Sequence, residues 1–239
     1  MGRIKEWIAN VYTRIKLHLT FCLWGGMILT IPSKIKEEYL MHSCSPEIDQ
    51  IFRAFKLCPF RKVKVVIIGQ DPYPTKGEAN GLAFSSNKET PEIIHFNTEL
   101  LPDFEIKAYD LTPWAKRGVL LLNSCLTIKD KPEGTKEDVR GSHRKDFGWE
   151  EVIENVLVKL NNSKHPIVFL LWGGPAIRLA EKLITNKKHK ILKSSHPSNQ
   201  GYKHKLEEAD GQSFDGCDHF KKANEFLQKH GINPIDWNT

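Results

Sequence analysis

Four short apolar runs punctuate the chain, at 64–68 (KVVII), 119–122 (VLLL), 167–171 (IVFLL) and 191–192 with its flanks (KILKSS). Continuous β-branched and leucine-rich runs of this length suit strands covered on both faces, as in a parallel sheet. Each run is followed at once by polar or glycine-rich residues: GQDPYP, NSCLT, WGGPA and SSHPSNQG. Between them the period changes. In 148–160 (GWEEVIENVLVKL), Val152, Val156 and Leu160 fall on one helical face. In 175–184 (PAIRLAEKLI), proline takes a plausible first helical position after Gly173 and Gly174. The segment 218–229 (DHFKKANEFLQK) reads as an amphipathic helix with Phe220, Ala223, Phe226 and Leu227 facing inward.

Strands alternating with helices predict an α/β fold, a three-layer α/β/α arrangement around a central four-stranded parallel twisted sheet. In such a sheet all four strand ends reach one edge, where open α/β folds build ligand sites. Gln70, Asp71, Tyr73, Asn123 and His196 are thereby expected in one cleft. Pro72 and Pro74 stiffen the first of these turns by fixing φ. An acid, an imidazole, two amides and an aromatic ring could recognise a planar heterocycle by its hydrogen-bonding edges and do acid–base or electrostatic chemistry on it.

The chain of 239 residues suits one domain with a substantial core, and its 40% hydrophobic and 27% charged residues are ordinary for a soluble globular protein. The net charge of +6 favours a polyanionic partner, nucleic acid above all. Five cysteines in odd number, with no C-x-x-C or Cys/His pair at metal-ligand spacing, point to a reduced intracellular protein without a metal site or disulfide framework. Cys217 and His219 lie close together but lack a second pair, and read as structural. A nucleotide hydrolase of the phosphate-loop kind is disfavoured, since G-x-x-x-x-G-K-[ST] and clustered acidic ligands are missing.

The run 17–31 (LHLTFCLWGGMILTI) follows a basic start with Arg3, Lys5, Arg14 and Lys16. It is short for a spanning helix, and no A-x-A-like cleavage site follows it. It is read as a buried segment, so that 1–31 forms an extension packed on a domain at 32–239, with no membrane association expected.

The polar clusters, in this order, resemble family 1 uracil-DNA glycosylase. The resemblance covers roughly residues 46–237 and rests on GQDPY after an apolar strand, GLAFS at 81–85, LLLN at 120–123, GWE at 148–150, LLWG at 170–173, HPS at 196–198 and PIDW at 234–237. It implies an enzyme that flips uracil out of single- or double-stranded DNA and hydrolyses its N-glycosidic bond, without cofactor or metal. Asp71 matches the family's catalytic aspartate, which stabilises positive charge on the sugar and orients water. His196 matches the histidine that hydrogen-bonds uracil O2. Asn123 matches the asparagine that reads O4 and N3–H, Phe84 the ring on which uracil stacks, and Tyr73 the residue that crowds C5. Gln70 matches a further pocket residue. Pro72, Pro91, Ser198, Asn199 and Gln200 are the DNA-contact candidates. The resemblance implies a monomer acting in the cytoplasm at the nucleoid, or in a nucleus or viral replication site. A proteinaceous inhibitor and replication partners are left open, as is a weakly catalytic DNA-binding role on the same fold.

The chain also departs from the family. Pro74 stands where histidine is usual, and Glu92 where a phosphate-contacting serine is usual. Asn199-Gln200-Gly201 replaces Pro-Leu-Ser, which puts Gln200 in the place of the wedge that fills the gap left by the flipped base. The segment 202–216 looks long and is expected to extend the DNA-facing rim. Lys193 and Lys203 read as solvated surface residues near the cleft.

Overall fold

The computed structural model describes residues 21–239. The sheet consists of β4 (Val65–Gly69), β5 (Val119–Asn123), β7 (Val168–Trp172) and β8 (Lys190–Ser194), all parallel, in the order β5-β4-β7-β8. Every residue of β4, β5 and β7 is buried, which is why these strands are apolar without alternation. Edge strand β8 alternates instead, and that explains its weaker apolar signal. Helices flank the sheet: α1 (Ser33–Met41), α2 (Arg53–Leu57), α3 (Pro91–Leu100), α4 (Thr112–Lys116), α5 (Trp149–Asn161), α6 (Gly174–Glu181) and α7 (His219–Lys229). The expected α/β/α layering is therefore present. A two-residue pair, β3 (Cys44–Ser45) with β6 (Ile128–Lys129), lies apart from the sheet.

The three expected helices form, with small shifts of face. In α5, Trp149, Ile153, Val156, Leu157 and Leu160 are buried, while Val152 is only half-buried at the edge of the stripe. In α7, Phe220, Ala223 and Leu227 face inward, and Phe226 is half-buried against the His230 ring. The reading of 17–31 as a buried segment fits only one face of its described part, and residues 17–20 and the basic start lie outside the described residues. Phe21–Trp24 and Met27–Thr30 form a hairpin, β1–β2, turned at Gly25 and Gly26, both at positive φ. Strand pleating puts Cys22, Trp24 and Leu29 inside and leaves Phe21, Leu23 and Ile28 exposed. Trp24 anchors the hairpin: its Nε1 donates to the Cys58 carbonyl at 2.9 Å, and its ring meets Phe55 and Phe60 edge-on.

An aromatic cluster supports the strand ends. Phe96, Trp114, Trp172, Phe214, Phe220 and Trp237 are all at most 2% exposed, and Trp114 Nε1 donates to the Trp237 carbonyl at 2.7 Å. Trp172 Nε1 donates to Nδ1 of buried His219 at 3.0 Å, so this imidazole acts as an acceptor and is neutral. Burial is the main cause that pushes the His219 pKa down to about 3, with the Lys222 charge adding to it. An unfolded histidine titrates near 6.5, so below that pH the unfolded chain binds a proton that the folded chain refuses. The stabilisation is complete above pH 6.5 and lost as pH falls from there toward 3. Unfolding free energies from denaturant titrations between pH 7 and pH 4.5 are expected to fall by up to about 1.4 kcal/mol per pH unit through this group. His219→Gln, which retains an acceptor, should flatten that slope. An unchanged slope would assign the acid sensitivity to His143 and His189, whose pKa values burial also lowers.

All five cysteines are free, and four of them, Cys217 included, are buried, in keeping with a structural role. Among the described residues no helix is long and apolar enough to cross a membrane, and no group of side chains is arranged to hold a metal ion.

Candidate active site

The loops after β4, β5, β7 and β8 enclose a cleft of about 520 Å³. Gln70, Asp71, Pro72, Tyr73, Phe84, Asn123, His196, Ser198 and Gln200 all line it. Pro91 and Asn199 do not: Pro91 opens α3 one residue before Glu92, which does line the cleft, and Asn199 is exposed on the outer side of its loop. A second cavity, of about 640 Å³, lies where the strands begin, among Lys62, Lys64, Arg117 and His165. Its polar groups are largely spent on the chain itself. Lys64 Nζ donates to the Asn233 carbonyl, Arg117 holds the Asp236 and Asn238 carbonyls, and His165 Nε2 meets the Val63 carbonyl.

The first two loops are joined by main-chain hydrogen bonds. Ser124 N donates to the Gly69 carbonyl at 2.9 Å, and Cys125 N to the Gln70 carbonyl at 3.1 Å. Gly69 pairs in register with Asn123, whose side chain lies directly over it. A Cβ at Gly69 would come within 2.2 Å of Asn123 Oδ1, so only glycine admits this placement of the amide. Asn123 is 7% exposed, and its side chain makes no hydrogen bond among the described residues, which leaves the amide for a ligand.

Phe84 has φ of 62°, a left-handed backbone that a bulky residue rarely adopts. Its ring is fixed by edge-on contacts with Phe96 and Trp172, both at 5.6 Å, and sits 5.8 Å from the His196 ring. His196 Nδ1 accepts a hydrogen bond from Ser198 N at 3.1 Å. That places the proton of the neutral imidazole on Nε2 and makes Nε2–H the donor. Burial pushes the His196 pKa down, against a smaller upward pull from Glu92, and so favours the neutral ring. The loop carrying His196 is packed tightly: a Cβ at Gly201 would lie 2.4 Å from the His196 carbonyl oxygen. From α3, His95 stacks on Tyr202 at 3.9 Å and bonds through Nδ1 to the Pro197 carbonyl at 2.5 Å, holding both ends of the loop.

Glu92, which departs from the family pattern, lines the cleft and accepts a hydrogen bond from the first loop. Tyr73 Oη lies 3.2 Å from Glu92 Oε2 and 3.3 Å from Thr90 Oγ1. Burial, reinforced by the Glu92 charge, pushes the Tyr73 pKa well up, so the phenol stays protonated and the ring is held at the cleft wall. The segment 202–216 is only in part the expected rim. His204 and Leu206 line the cleft, but Tyr202, Ala209 and Phe214 are buried, and Gln212 O accepts from Ser195 N. Its extra length therefore folds back onto the core. Lys193 is engaged by Glu181 at 2.9 Å and Asp210 at 3.6 Å, while Lys203 is exposed.

One group was not anticipated. Arg144 Nε donates to Asp71 Oδ1 at 2.7 Å, Arg144 Nη2 to Asp71 Oδ2, and Gly141 N to Asp71 Oδ2 at 3.2 Å. With its amide turned to satisfy both ends, the Gln70 side-chain oxygen accepts from Arg144 Nη1 at 2.6 Å. The Asp71 side chain is only 8% exposed, whereas that of Arg144 is 34% exposed. The charge-rich stretch 138–146 just before GWE is the only sequence signal that could have drawn attention to it.

A cleft with a carboxylate, a neutral imidazole donor, an unpaired amide and a flat ring, at the strand ends of an α/β/α fold, has the groups to grip a planar base by its edge and do acid–base or electrostatic chemistry beside it. The Uracil DNA glycosylase superfamily profile matches residues 55–228. A uracil-DNA glycosylase from Dictyostelium discoideum is 45% identical over 200 residues, covering 80% of this chain and 53% of that one. One from Campylobacter jejuni subsp. doylei is 43% identical over 198 residues, covering 80% of this chain and 78% of that one. The chain thus spans about half the length of the Dictyostelium protein and more of the bacterial one. Among solved structures, the mimivirus uracil-DNA glycosylase superposes with a TM-score of 0.76 at 27% identity, covering 87% of this chain and 79% of that one. A variant of that viral protein in complex with UGI gives 0.74 at 26% identity, covering 87% and 81%. The chain belongs to the uracil-DNA glycosylase superfamily.

Proposed function

We propose that the protein removes uracil from DNA by hydrolysing the bond between N1 of the base and C1′ of the deoxyribose, leaving an abasic site. The convergence of Asp71, Phe84, Asn123 and His196 on one cleft carries this reading. A flipped base stacks on Phe84, and base–aromatic stacking supplies about 1–3 kcal/mol. The Asn123 amide pairs with O4 and N3–H, and the Tyr73 ring crowds C5, where thymine carries its methyl group. As the bond breaks, its electron pair leaves with the base and charge accumulates on O2. The Nε2–H of His196 donates to that oxygen. Positive charge left on the sugar faces the Asp71 carboxylate, which accepts a proton from the water that attacks C1′. Gln70 completes the pocket wall. Ser198 and the amides of its loop, with Pro72, Pro91 and Asn199, contact the DNA backbone, and Gln200 fills the space the base vacates. The water-placing histidine of the family is replaced by Pro74, whose carbonyl is bonded to Lys131 N.

The reading places the protein with DNA, at a nucleoid, in a nucleus or at a viral replication site, acting as a monomer and open to a protein inhibitor. The chemistry uses water alone as co-reactant. The direct test is release of uracil from a uracil-containing oligonucleotide, single- and double-stranded, with substrate in excess and a chelator present. Many turnovers are expected, and sub-stoichiometric release would overturn the reading. His196→Leu should retain the fold and lose about 10²-fold in kcat, with a smaller change in KM, because its hydrogen bond strengthens as charge leaves with the base. An equal rate in that variant would remove His196 from the mechanism.

A further inference from the structure

Asp71 accepts three hydrogen bonds in the free protein. Its two oxygens receive Arg144 Nε, Arg144 Nη2 and Gly141 N, and the Gln70 oxygen holds a third guanidinium nitrogen. A carboxylate gripped in this way gives its two-oxygen edge to the guanidinium and keeps one acceptor site, and the adjacent cation opposes its field toward the sugar. Catalysis by Asp71 therefore requires Arg144 to leave. Arg144 is able to do so: its long side chain is one-third exposed at the cleft mouth, while its partner is buried. The other arginine lining the cleft, Arg140, is held by Asp138 at 2.7 and 2.8 Å and is not competing for Asp71. A flipped nucleotide brings with it the one kind of group that can draw a guanidinium from a carboxylate, a backbone phosphate, which accepts the same fork of two N–H donors.

We propose that Arg144 covers Asp71 in the free enzyme and is transferred to a phosphate flanking the flipped nucleotide, so that arrival of DNA uncovers the carboxylate. Arg144 is thus a positioning residue of the reaction, and the inference rests on the glycosylase reading. Replacing the Arg144–Asp71 pair by an Arg144–phosphate pair keeps the guanidinium paired throughout, while the uncovered Asp71 carboxylate keeps the Gly141 N–H and faces the sugar. It also supplies a cation at the cleft mouth, where Pro74 offers none.

Two measurements test this. On single-stranded uracil oligonucleotides, Arg144→Gln is expected to raise KM about tenfold while kcat is maintained or increased, because a phosphate contact is lost and the carboxylate is uncovered. The slope of log(kcat/KM) against log salt should become shallower by about 0.7, one phosphate fewer on a single strand. Arg144→Lys, which keeps the charge, should restore the slope. A fall in kcat at unchanged KM would show that Arg144 acts on Asp71 during the chemistry, and an unchanged KM and slope would show a purely structural pair; either result overturns the proposal. The second measurement does not depend on turnover. Asp71→Asn frees Arg144 and should tighten binding of uracil-free single-stranded DNA several-fold, and the gain should vanish in Asp71→Asn/Arg144→Gln. A gain that persists in the double variant reflects only the removal of carboxylate–phosphate repulsion and overturns the transfer. Absence of uracil release by the wild-type protein would instead overturn the glycosylase reading, leaving the binding comparison to stand by itself.

Discussion

Asp71→Asn is expected to reduce kcat for uracil release by about 10³-fold, the upper range for loss of one group that meets developing charge in a dry site. The side chain is nearly isosteric, so the fold and the contacts of Gly141 with this loop should persist. What is lost is a negative charge facing the sugar and an acceptor for the proton of water. The loss should fall on kcat rather than KM, because neither contribution operates until the glycosidic bond begins to break. Single-turnover uracil release measures it, and a rate within about tenfold of wild type would move the catalytic role elsewhere.

The second large effect is one of selectivity. Asn123 stands unpaired and only 7% exposed in the cleft, and an amide there matches uracil on both atoms, an N–H for O4 and a carbonyl for N3–H. Cytosine offers an amino group and a bare nitrogen at the same places, so both contacts fail and buried polar groups are left unsatisfied. Sites of this kind reject the wrong partner by about 10⁴-fold or more. Asn123→Asp exchanges the donor for an acceptor suited to the cytosine amino group. Release of cytosine from DNA should become measurable, uracil release should fall, and the preference should collapse by about that factor. If cytosine release stays at background while uracil release falls, the base edge is being read by another group.

How much of this was legible from the chain follows from which interactions are local. The buried strands β4, β5 and β7 were visible because a strand covered on both faces has to be apolar at successive positions. Their polar exits were visible because each lies within a few residues of its strand. From those two facts the parallel topology places Gln70, Asp71, Tyr73, Asn123 and His196 together, and the motif resemblance adds Phe84. Arg144 was not legible. It reaches Asp71 across 73 residues of sequence, and in a charged stretch a lone arginine looks like any solvated one. The hairpin of Phe21–Trp24 and Met27–Thr30 was misread for a different reason. Its exposed face is as apolar as its buried one, so the two-residue alternation that marks a half-buried strand was absent. Glu92 showed in the sequence only as a departure from a usual serine, because its hydrogen bond from Tyr73 depends on α3 packing beside the first loop.

The bare α-carbon of Gly69 has a consequence for how this enzyme could change its diet. In the proposed mechanism, which base is accepted depends on where a single amide rests, and that amide rests on a glycine with no side chain of its own. The width of one methyl group at a strand end is thus the tolerance of the discriminating step. Evolution toward another base is open at Asn123 itself but closed beneath it, since any side chain at position 69 would push the reader off its perch before it could acquire a new reading.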